Sequence, residues 1–252
     1  MFTERRKFNR RKGSLKNRIL ASLTEEDQNV ILPLLERIKL NGGSTVLNAG
    51  ERFSEIIFPT TSLISIKFDS EDGRVVEVGS IGNEGVIGAS FVMGRDITTL
   101  RMHVSYSGYG YSIKSKDFLR VLEILPSLKS QILLYAQFLF AQTCVNVACN
   151  RLHSIEQQYA KILLFTADSL ATNNLLFSHS SMSDRLGVRR ESITTTSKKL
   201  KDAGVIDYSR GKLMILNCSE LQNMACDCYM IFNKELSYLY ANKTVDTIAQ
   251  IT

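Results

Sequence analysis

Near the N-terminus, apolar residues recur with the 3.6-residue period of an α-helix. Thr24 is placed as the N-cap, and the acidic residues of Thr24-Glu25-Glu26-Asp27 suit the first turn of a helix. Asn41-Gly42-Gly43 is expected to end this helix. Its predicted apolar face consists of Val30, Ile31, Leu34, Leu35 and Ile38.

From about residue 44 to residue 118 the apolar pattern changes to a period of two. Turn signals such as Ala49-Gly50-Glu51 and Ser70-Glu71-Asp72-Gly73 separate the runs. Several short strands spaced in this way predict an antiparallel roll or sandwich. The predicted strands are Thr45–Leu47, Ile56–Phe58, Leu63–Phe68, Val75–Ile81, Met102–Tyr106 and Tyr109–Ile113.

A helical period returns after Phe118 and predicts one long apolar helix from Pro126 to about His153. A helix that is apolar over much of its girth needs cover on more than one side. One side is expected to pack on the β domain and the other, around residues 127–152, against a second copy of the chain. Burial within a single subunit remains the alternative. The apolar positions are Ile132, Tyr135, Leu139 and Val147, widened by Phe138, Ala141, Val145 and Ala148.

A further helix is predicted from Ile155 to Ala171, and a helix-turn-helix pattern follows it. Ser178 is placed to cap a short helix that ends at Gly187. The next helix should run from Arg190 to Ala203, with an inner face of Ile193, Leu200 and Thr196. Gly204 ends it, and the segments Val205–Tyr208 and Leu213–Leu216 are predicted to form a β-hairpin.

Composition is ordinary for a soluble globular protein of 252 residues, with 44% hydrophobic and 22% charged residues. No uninterrupted apolar run approaches the roughly 20 residues of a membrane span, and the basic N-terminus lacks the apolar core of a secretory signal. A cytoplasmic protein without a membrane partner is therefore expected. Residues 1–17 hold seven Lys/Arg and one acid, which accounts for the whole net charge of +6. This segment has little to bury and is predicted to be a disordered arm.

The five cysteines are odd in number and occur without an export signal, which argues against a disulfide framework. Cys226-x-Cys228 lacks the second Cys/His pair expected of a zinc site. The favoured interpretation is that the cysteines are small buried hydrophobes, with no bound metal.

The exposed face of the second helix carries residue types that suit the major groove of DNA. Arg190 is suited to a guanine, Glu191 to a cytosine amino group, and Thr194 and Thr195 to thymine methyl groups. The alternative is a solvated helix face with no ligand. Phosphate contacts are expected from Lys198, Lys199, Arg210 and Lys212, and from Ser178 and His179 at the start of the first helix.

The stretch FSHSSMSDRLGVRRESITTTSKKLKDAGVIDYSRGKLMIL closely resembles the DNA-binding domain of Crp/Fnr regulators. FPTTSLISIKF and EDGRVVEVGSIGNEGVIG resemble the β-roll of the same family, and LQNMACDCY resembles its C-terminal helix. The resemblance covers residues 18–235 and implies an α+β fold. With the basic arm (1–17), which lies outside the resemblance, the chain would divide into a β-roll sensor (18–119), a dimerisation helix (120–153) and a winged helix-turn-helix with a C-terminal helix (154–252).

The resemblance also implies roles for individual residues. Arg190 and Glu191 match the base-reading pair of the family, whereas Thr195 stands where many members have a second base-reading arginine. Arg189 occupies the N-cap position, where arginine caps poorly, so a phosphate contact is expected. The implied function is a homodimeric transcriptional regulator that reads a palindromic operator, with RNA polymerase as a further partner.

The sensor departs from cyclic-nucleotide binders of this fold because no Arg-Ser/Thr-Ala follows the glycine-rich stretch 81–88. Tight binding of cyclic AMP is therefore not expected. Residues 1–143 hold no cysteine for an iron–sulfur cluster, and a haem would need a ligand such as His103. The effector stays unidentified and no cofactor is predicted.

Two other classes of function compete with the regulator. A sensor or protein-interaction module that does not bind DNA is the alternative. Catalysis finds no support, because His103, His153 and His179 form no recognisable nucleophile or metal-ligand pattern in the sequence.

Overall fold

The computed structural model describes Arg6–Lys7 and residues 15–240. Within these residues the N-terminal part folds into two antiparallel sheets, which confirms the predicted roll. One sheet has the order β1-β2-β8-β4 and the other β3-β7-β5-β6. The strands are β1 (Arg6–Lys7), β2 (Glu36–Leu40), β3 (Thr45–Leu47), β4 (Glu55–Pro59), β5 (Leu63–Asp69), β6 (Val75–Ile81), β7 (Arg101–Tyr106) and β8 (Gly108–Lys114).

The N-terminal helix is shorter than its apolar pattern predicts. After α1 (Arg18–Ala21), α2 covers only Glu25–Ile31, with Thr24 as its N-cap, and a 3₁₀ turn follows at Leu32–Leu34. Pro33 has no N–H to continue the helix. The prediction that the helix continues through Ile38 is therefore wrong: this segment is β2, which pairs with β8.

The predicted basic arm is also shorter than residues 1–17. Asn17 is fully buried, where its side-chain amide donates to the carbonyl oxygens of Pro59 (2.9 Å) and Gly85 (2.8 Å). These bonds tie the start of α1 to two loops of the roll, so Asn17 belongs to the folded domain. Arg6–Lys7 pair with β2 at the sheet edge. The disorder predicted for residues 1–5 and 8–14 lies outside the described residues.

A long helix, α5 (Pro126–Leu152), leaves the roll after α3 (Ala89–Val92) and α4 (Ser115–Ile124). Its inner face is buried against the roll at Leu128, Ile132 and Tyr135. By length and composition alone α5 would be able to cross a membrane, and 28% of its most apolar 18-residue window is buried in the protein.

The C-terminal part has its own hydrophobic core and a three-stranded sheet of order β10-β11-β9. The helix predicted from Ile155 is confirmed as α6, and both helices of the helix-turn-helix lie where the sequence predicts them. The elements are α6 (Ile155–Leu170), β9 (Asn174–Leu176), α7 (His179–Leu186), α8 (Arg190–Asp202), β10 (Ile206–Ser209), β11 (Lys212–Ile215), α9 (Cys218–Met224) and α10 (Cys228–Tyr240).

Candidate nucleic-acid interface

The first helix of the helix-turn-helix, α7, has clear boundaries. Ser178 is its N-cap, and the Ser178 hydroxyl accepts a hydrogen bond from the backbone N–H of Ser181 at 3.0 Å. Gly187 ends the helix with a φ of 63°, a left-handed conformation that costs glycine little. This sharp turn allows α8 to begin only three residues later, at Arg190.

One face of α8 is anchored in the C-terminal core. Ile193 and Leu200 are fully buried, as predicted, and Thr196 lies beside them. The buried hydroxyl of Ser197 lies 2.9 Å from the Tyr159 hydroxyl of α6. Burial raises the pKa of Tyr159, so this phenol stays protonated and able to hydrogen-bond. These contacts fix which face of α8 points outward.

The outward face of α8 presents the four side chains that the sequence assigns to base reading, together with Lys198, which it assigns to phosphate. Arg190, Glu191, Thr194, Thr195 and Lys198 are all exposed. The Thr194 hydroxyl donates to the Arg190 carbonyl (3.1 Å) and the Thr195 hydroxyl to that of Glu191 (3.0 Å). Because these hydroxyls are bonded to the helix backbone, the threonines offer a methyl group and an acceptor to an incoming ligand.

The residues predicted to contact phosphates surround this face. Arg189 is exposed and makes no side-chain capping bond at the start of α8. Lys199 forms an ion pair with Glu156 of α6, so its charge is partly neutralised. Arg210 and Lys212 are exposed at the hairpin tip, where Arg210 and Gly211 have φ values of 48° and 81°. Positive φ at both central residues is typical of a type I′ turn.

His179 differs from the other predicted phosphate contacts. Its imidazole ring packs 5.1 Å from the Phe177 ring and 5.7 Å from the Tyr208 ring, measured between centroids. Its Nε2 atom is buried and has no hydrogen-bond partner within the described part of the chain. Ser178 is exposed, whereas His179 is half-buried.

A buried ion pair between α7 and the sensor roll was missed by sequence reasoning. Arg185 Nε lies 3.1 Å from Glu77 Oε1 of β6, and the two side chains are only 8% and 7% exposed. Arg185 also donates to the Thr166 hydroxyl at 3.1 Å. Arg185 sits in a polar helix whose pattern gives no sign of burial. The helix-turn-helix is thus docked on the edge strand of the sensor sheet.

In the glycine-rich stretch 81–88 of the roll, the one acidic side chain is bonded within its own loop. Glu84 is buried, and its Oε1 accepts a hydrogen bond from the Gly82 N–H at 2.7 Å. Burial raises the pKa of this carboxyl group. Arg101 is paired with Asp69 (Nε–Oδ2, 2.7 Å). Arg95 is exposed at a cavity of about 290 Å³ whose other walls include Val78, Met102 and Phe140.

His103, the residue considered as a haem ligand, lies half-buried in β7. Burial and the nearby charges of Lys67 and Arg101 lower the pKa of its imidazole. Its Nδ1 atom is buried and has no hydrogen-bond partner among the described residues.

Comparisons with known proteins match both halves of this architecture. Residues 157–224 match the model of the Crp-like helix-turn-helix domain. No curated protein matches the sequence significantly. A Crp/Fnr-family transcriptional regulator from Eubacterium rectale has a similar structure, with a TM-score of 0.64 and 17% identity over 82% of this chain and 97% of its own.

Two further solved structures have the same arrangement of domains. FixK2 from Bradyrhizobium japonicum has a TM-score of 0.65 and 13% identity, over 75% of this chain and 96% of its own. The c-di-GMP-responsive regulator CLP from Xanthomonas campestris has a TM-score of 0.57 and 13% identity, over 76% and 99%. The resemblance seen in the sequence is confirmed: the chain has the fold of Crp/Fnr transcriptional regulators, and its residues 157–224 are a Crp-like helix-turn-helix domain.

Proposed function

We propose that this protein is a sequence-specific DNA-binding regulator that acts as a homodimer and reads a palindromic operator through α8. The observation that carries the proposal is that α8 buries an apolar face and exposes a polar, charged face. Its apolar face is fully buried, while Arg190, Glu191 and Lys198 point away from the protein. A helix held in this way fits the major groove, where each base pair has a distinct pattern of donors and acceptors.

The exposed face of α5 supports the homodimer. Leu133, Phe140 and Val147 are 42%, 71% and 67% exposed, and each lies seven residues from the next. Seven-residue spacing of apolar side chains is the pattern by which two helices pack side by side. The heptad positions named from the sequence lie mostly elsewhere, since Ile132 and Tyr135 are buried within the subunit. Pairing through α5 would place two copies of α8 on one DNA duplex.

Charge around α8 supports phosphate binding. Residues 175–215 hold eight Lys/Arg and four acids, whereas the chain outside the basic N-terminus is neutral. Arg189, Lys198, Arg210 and Lys212 are the exposed members of this set that we assign to phosphates. Ser178 and the free N–H groups of the first turn of α7 add a neutral contact.

We also propose that the sensor does not bind cyclic AMP tightly. The buried Glu84 is bonded to its own loop, and Arg101 is engaged by Asp69. A buried phosphate without a positioned guanidinium would be poorly compensated. Submicromolar affinity in isothermal titration with cyclic AMP would overturn this part. A cytoplasmic location and contact with RNA polymerase are proposals that follow from the family resemblance.

A mobility-shift assay across a salt series tests DNA binding. Bound sequences are first selected from a random duplex pool, and affinity for them is then measured at increasing salt. Each phosphate contact should contribute about −0.9 to the slope of log K against log salt. The Lys198→Ala variant should make the slope less steep by about 1, and Lys116→Ala, an exposed lysine of α4, should leave it unchanged. Salt-independent or absent binding would instead favour the protein-interaction module.

A further inference from the structure

Four side chains from two distant segments of the chain converge beside the C-terminal end of α5. One ligand atom from each lies within 4.8 Å of the other three. The Cys149 and Cys226 sulfurs are 3.5 Å apart, and the Cys228 sulfur lies 3.5 Å from His153 Nδ1. The three cysteines are buried and the imidazole is 20% exposed. These four residues, named here the Cys3His cluster, are Cys149, His153, Cys226 and Cys228.

The spacing within the cluster suits one tetrahedral metal ion. Zinc binds thiolate sulfur at about 2.3 Å and imidazole nitrogen at about 2.0 Å, so sulfur atoms around it lie roughly 3.8 Å apart. The sulfur–sulfur and sulfur–nitrogen separations of 3.5 Å are close to that size, and all four ligand atoms lie within 4.8 Å of one another. Cys149 and His153 are four residues apart at the end of α5 and therefore share one face of the helix. They supply the second Cys/His pair that Cys226-x-Cys228 lacks in the sequence.

Two polar neighbours fit a metal site better than a purely apolar cysteine cluster. The far nitrogen of His153, Nε2, lies 3.2 Å from Asp227 Oδ1. A carboxylate in this position holds the proton on Nε2 and leaves Nδ1 free to bind a metal. The Lys161 ammonium lies 3.3 Å from the Cys149 sulfur and 3.0 Å from Asn146 Oδ1.

The charges of the four ligands and Lys161 sum to zero around a divalent ion, while the Asp227 carboxylate behind His153 is 75% exposed to solvent. Three thiolates and one neutral imidazole around Zn²⁺ carry a net charge of −1. Lys161 supplies the compensating positive charge at the one sulfur that it contacts. Cysteines that served only as small hydrophobic side chains would need neither the carboxylate behind the imidazole nor the ammonium beside a sulfur.

We propose that the Cys3His cluster is a structural zinc site. All four coordination positions come from protein side chains, as in closed sites that stabilise a fold rather than catalyse a reaction. The site joins the end of α5 to Cys226, between α9 and α10, and to Cys228, the first residue of α10. Its His153 is the C-cap of α5, and Ser154 is the N-cap of α6. A bound ion would thus fix the joint between the long helix and the helix-turn-helix domain, whether or not that domain binds DNA.

The direct test is the metal content of the untagged full-length chain, purified under reducing conditions. Mass spectrometry of the metals should find one zinc ion per chain. Replacement by Co²⁺ should give the intense visible bands of a tetrahedral site and a strong sulfur-to-cobalt charge-transfer band. Absence of metal after reconstitution with zinc, or the weak bands of octahedral cobalt, would overturn the proposal. A Cys149–Cys226 disulfide in the freshly purified protein, shown by thiol counting, would also overturn it.

Substitutions of single residues test whether the Cys3His cluster is what binds the zinc ion. Cys226→Ser should abolish stoichiometric zinc, and the matched control Cys218→Ser, at an exposed cysteine, should retain it. Asp227→Asn should keep the cobalt spectrum and weaken zinc affinity by about 10–100-fold in competition with a chelator. Because Asp227 is exposed and binds no metal itself, this variant remains informative if Cys226→Ser fails to fold. Unchanged affinity in Asp227→Asn together with full zinc in Cys226→Ser would refute the assignment.

Discussion

The buried pair Glu77–Arg185 provides the sharpest test of how the helix-turn-helix is held against the sensor. Replacing Glu77 by alanine removes the carboxylate and leaves the Arg185 guanidinium buried. The remaining Arg185 contact, to the Thr166 hydroxyl, is neutral and does not compensate the charge. We therefore expect Glu77→Ala to be among the most destabilising substitutions of a polar residue in the chain.

The magnitude follows from distance and burial. At 3.1 Å the pair attracts by about 5 kcal/mol at an effective dielectric constant of 20. Both side chains are more than nine-tenths buried, so water replaces little of that attraction when one partner is lost. Removing one member of such a pair typically costs about 3–5 kcal/mol of unfolding free energy. Glu77→Gln keeps a neutral acceptor and should cost less.

Urea unfolding followed by circular dichroism measures this cost. The matched control is Arg74→Ala, because Arg74 forms an exposed ion pair with Asp72 and its side chain is 82% exposed. That substitution should change the free energy of unfolding by no more than about 1 kcal/mol. The double variant Glu77→Ala/Arg185→Ala should be more stable than the sum of the two single losses predicts. A loss below about 1 kcal/mol for Glu77→Ala would refute the reasoning, since buried pairs of this kind cost far more to break.

Three further predictions concern DNA, assembly and pH. Arg190→Ala should cost about 1–3 kcal/mol at one base position per half-site, and an equal loss on all sequences would make Arg190 a phosphate contact. Phe140→Glu should convert the dimer into a monomer in light scattering, while Leu119→Glu, at an exposed leucine of α4, should not; a dimer in both would refute pairing through α5. Burial raises the folded-state pKa of Glu84 above 4.5, so the folded protein favours the protonated carboxyl group. This stabilisation is fully present below pH 4.5 and is lost as pH rises through the folded-state pKa. Glu84→Gln should flatten this dependence of urea stability on pH, and an unchanged profile would contradict it.

The apolar periodicity and the capping residues predict most helices and strands. At these positions, local backbone preference and tertiary packing favour the same structure. The long helix and α8 begin at Pro126 and Arg190 as expected, and strands β3 to β8 of the roll fall at the predicted runs. The segment 32–40 fails because its apolar residues fit a helical period as well as a period of two. Pro33 and pairing with β8 then decide in favour of a strand. Strand β9 begins in a polar stretch that is typical of a loop and is formed only by pairing with β11.

The candidate interface is predictable for the same reason: its residues lie within one continuous motif. The outward face of α8 follows from helical periodicity alone. By contrast, the Glu77–Arg185 pair joins residues 108 positions apart, and the Cys149–Cys226 contact joins residues 77 positions apart. No local pattern contains such pairings, because they arise when separate elements pack together.

Strand β6 belongs to the sensor sheet and also contacts α7, so a movement of this strand would be felt by both domains. A compound that shifted β6 would bind one arrangement of the helix-turn-helix better than another. Thermodynamic linkage then makes the effect mutual: whatever factor the compound adds to operator affinity, the operator adds to the affinity for the compound. A binding screen for a compound that strengthens operator binding is therefore most sensitive with operator DNA present. A screen for a compound that releases DNA is most sensitive without it.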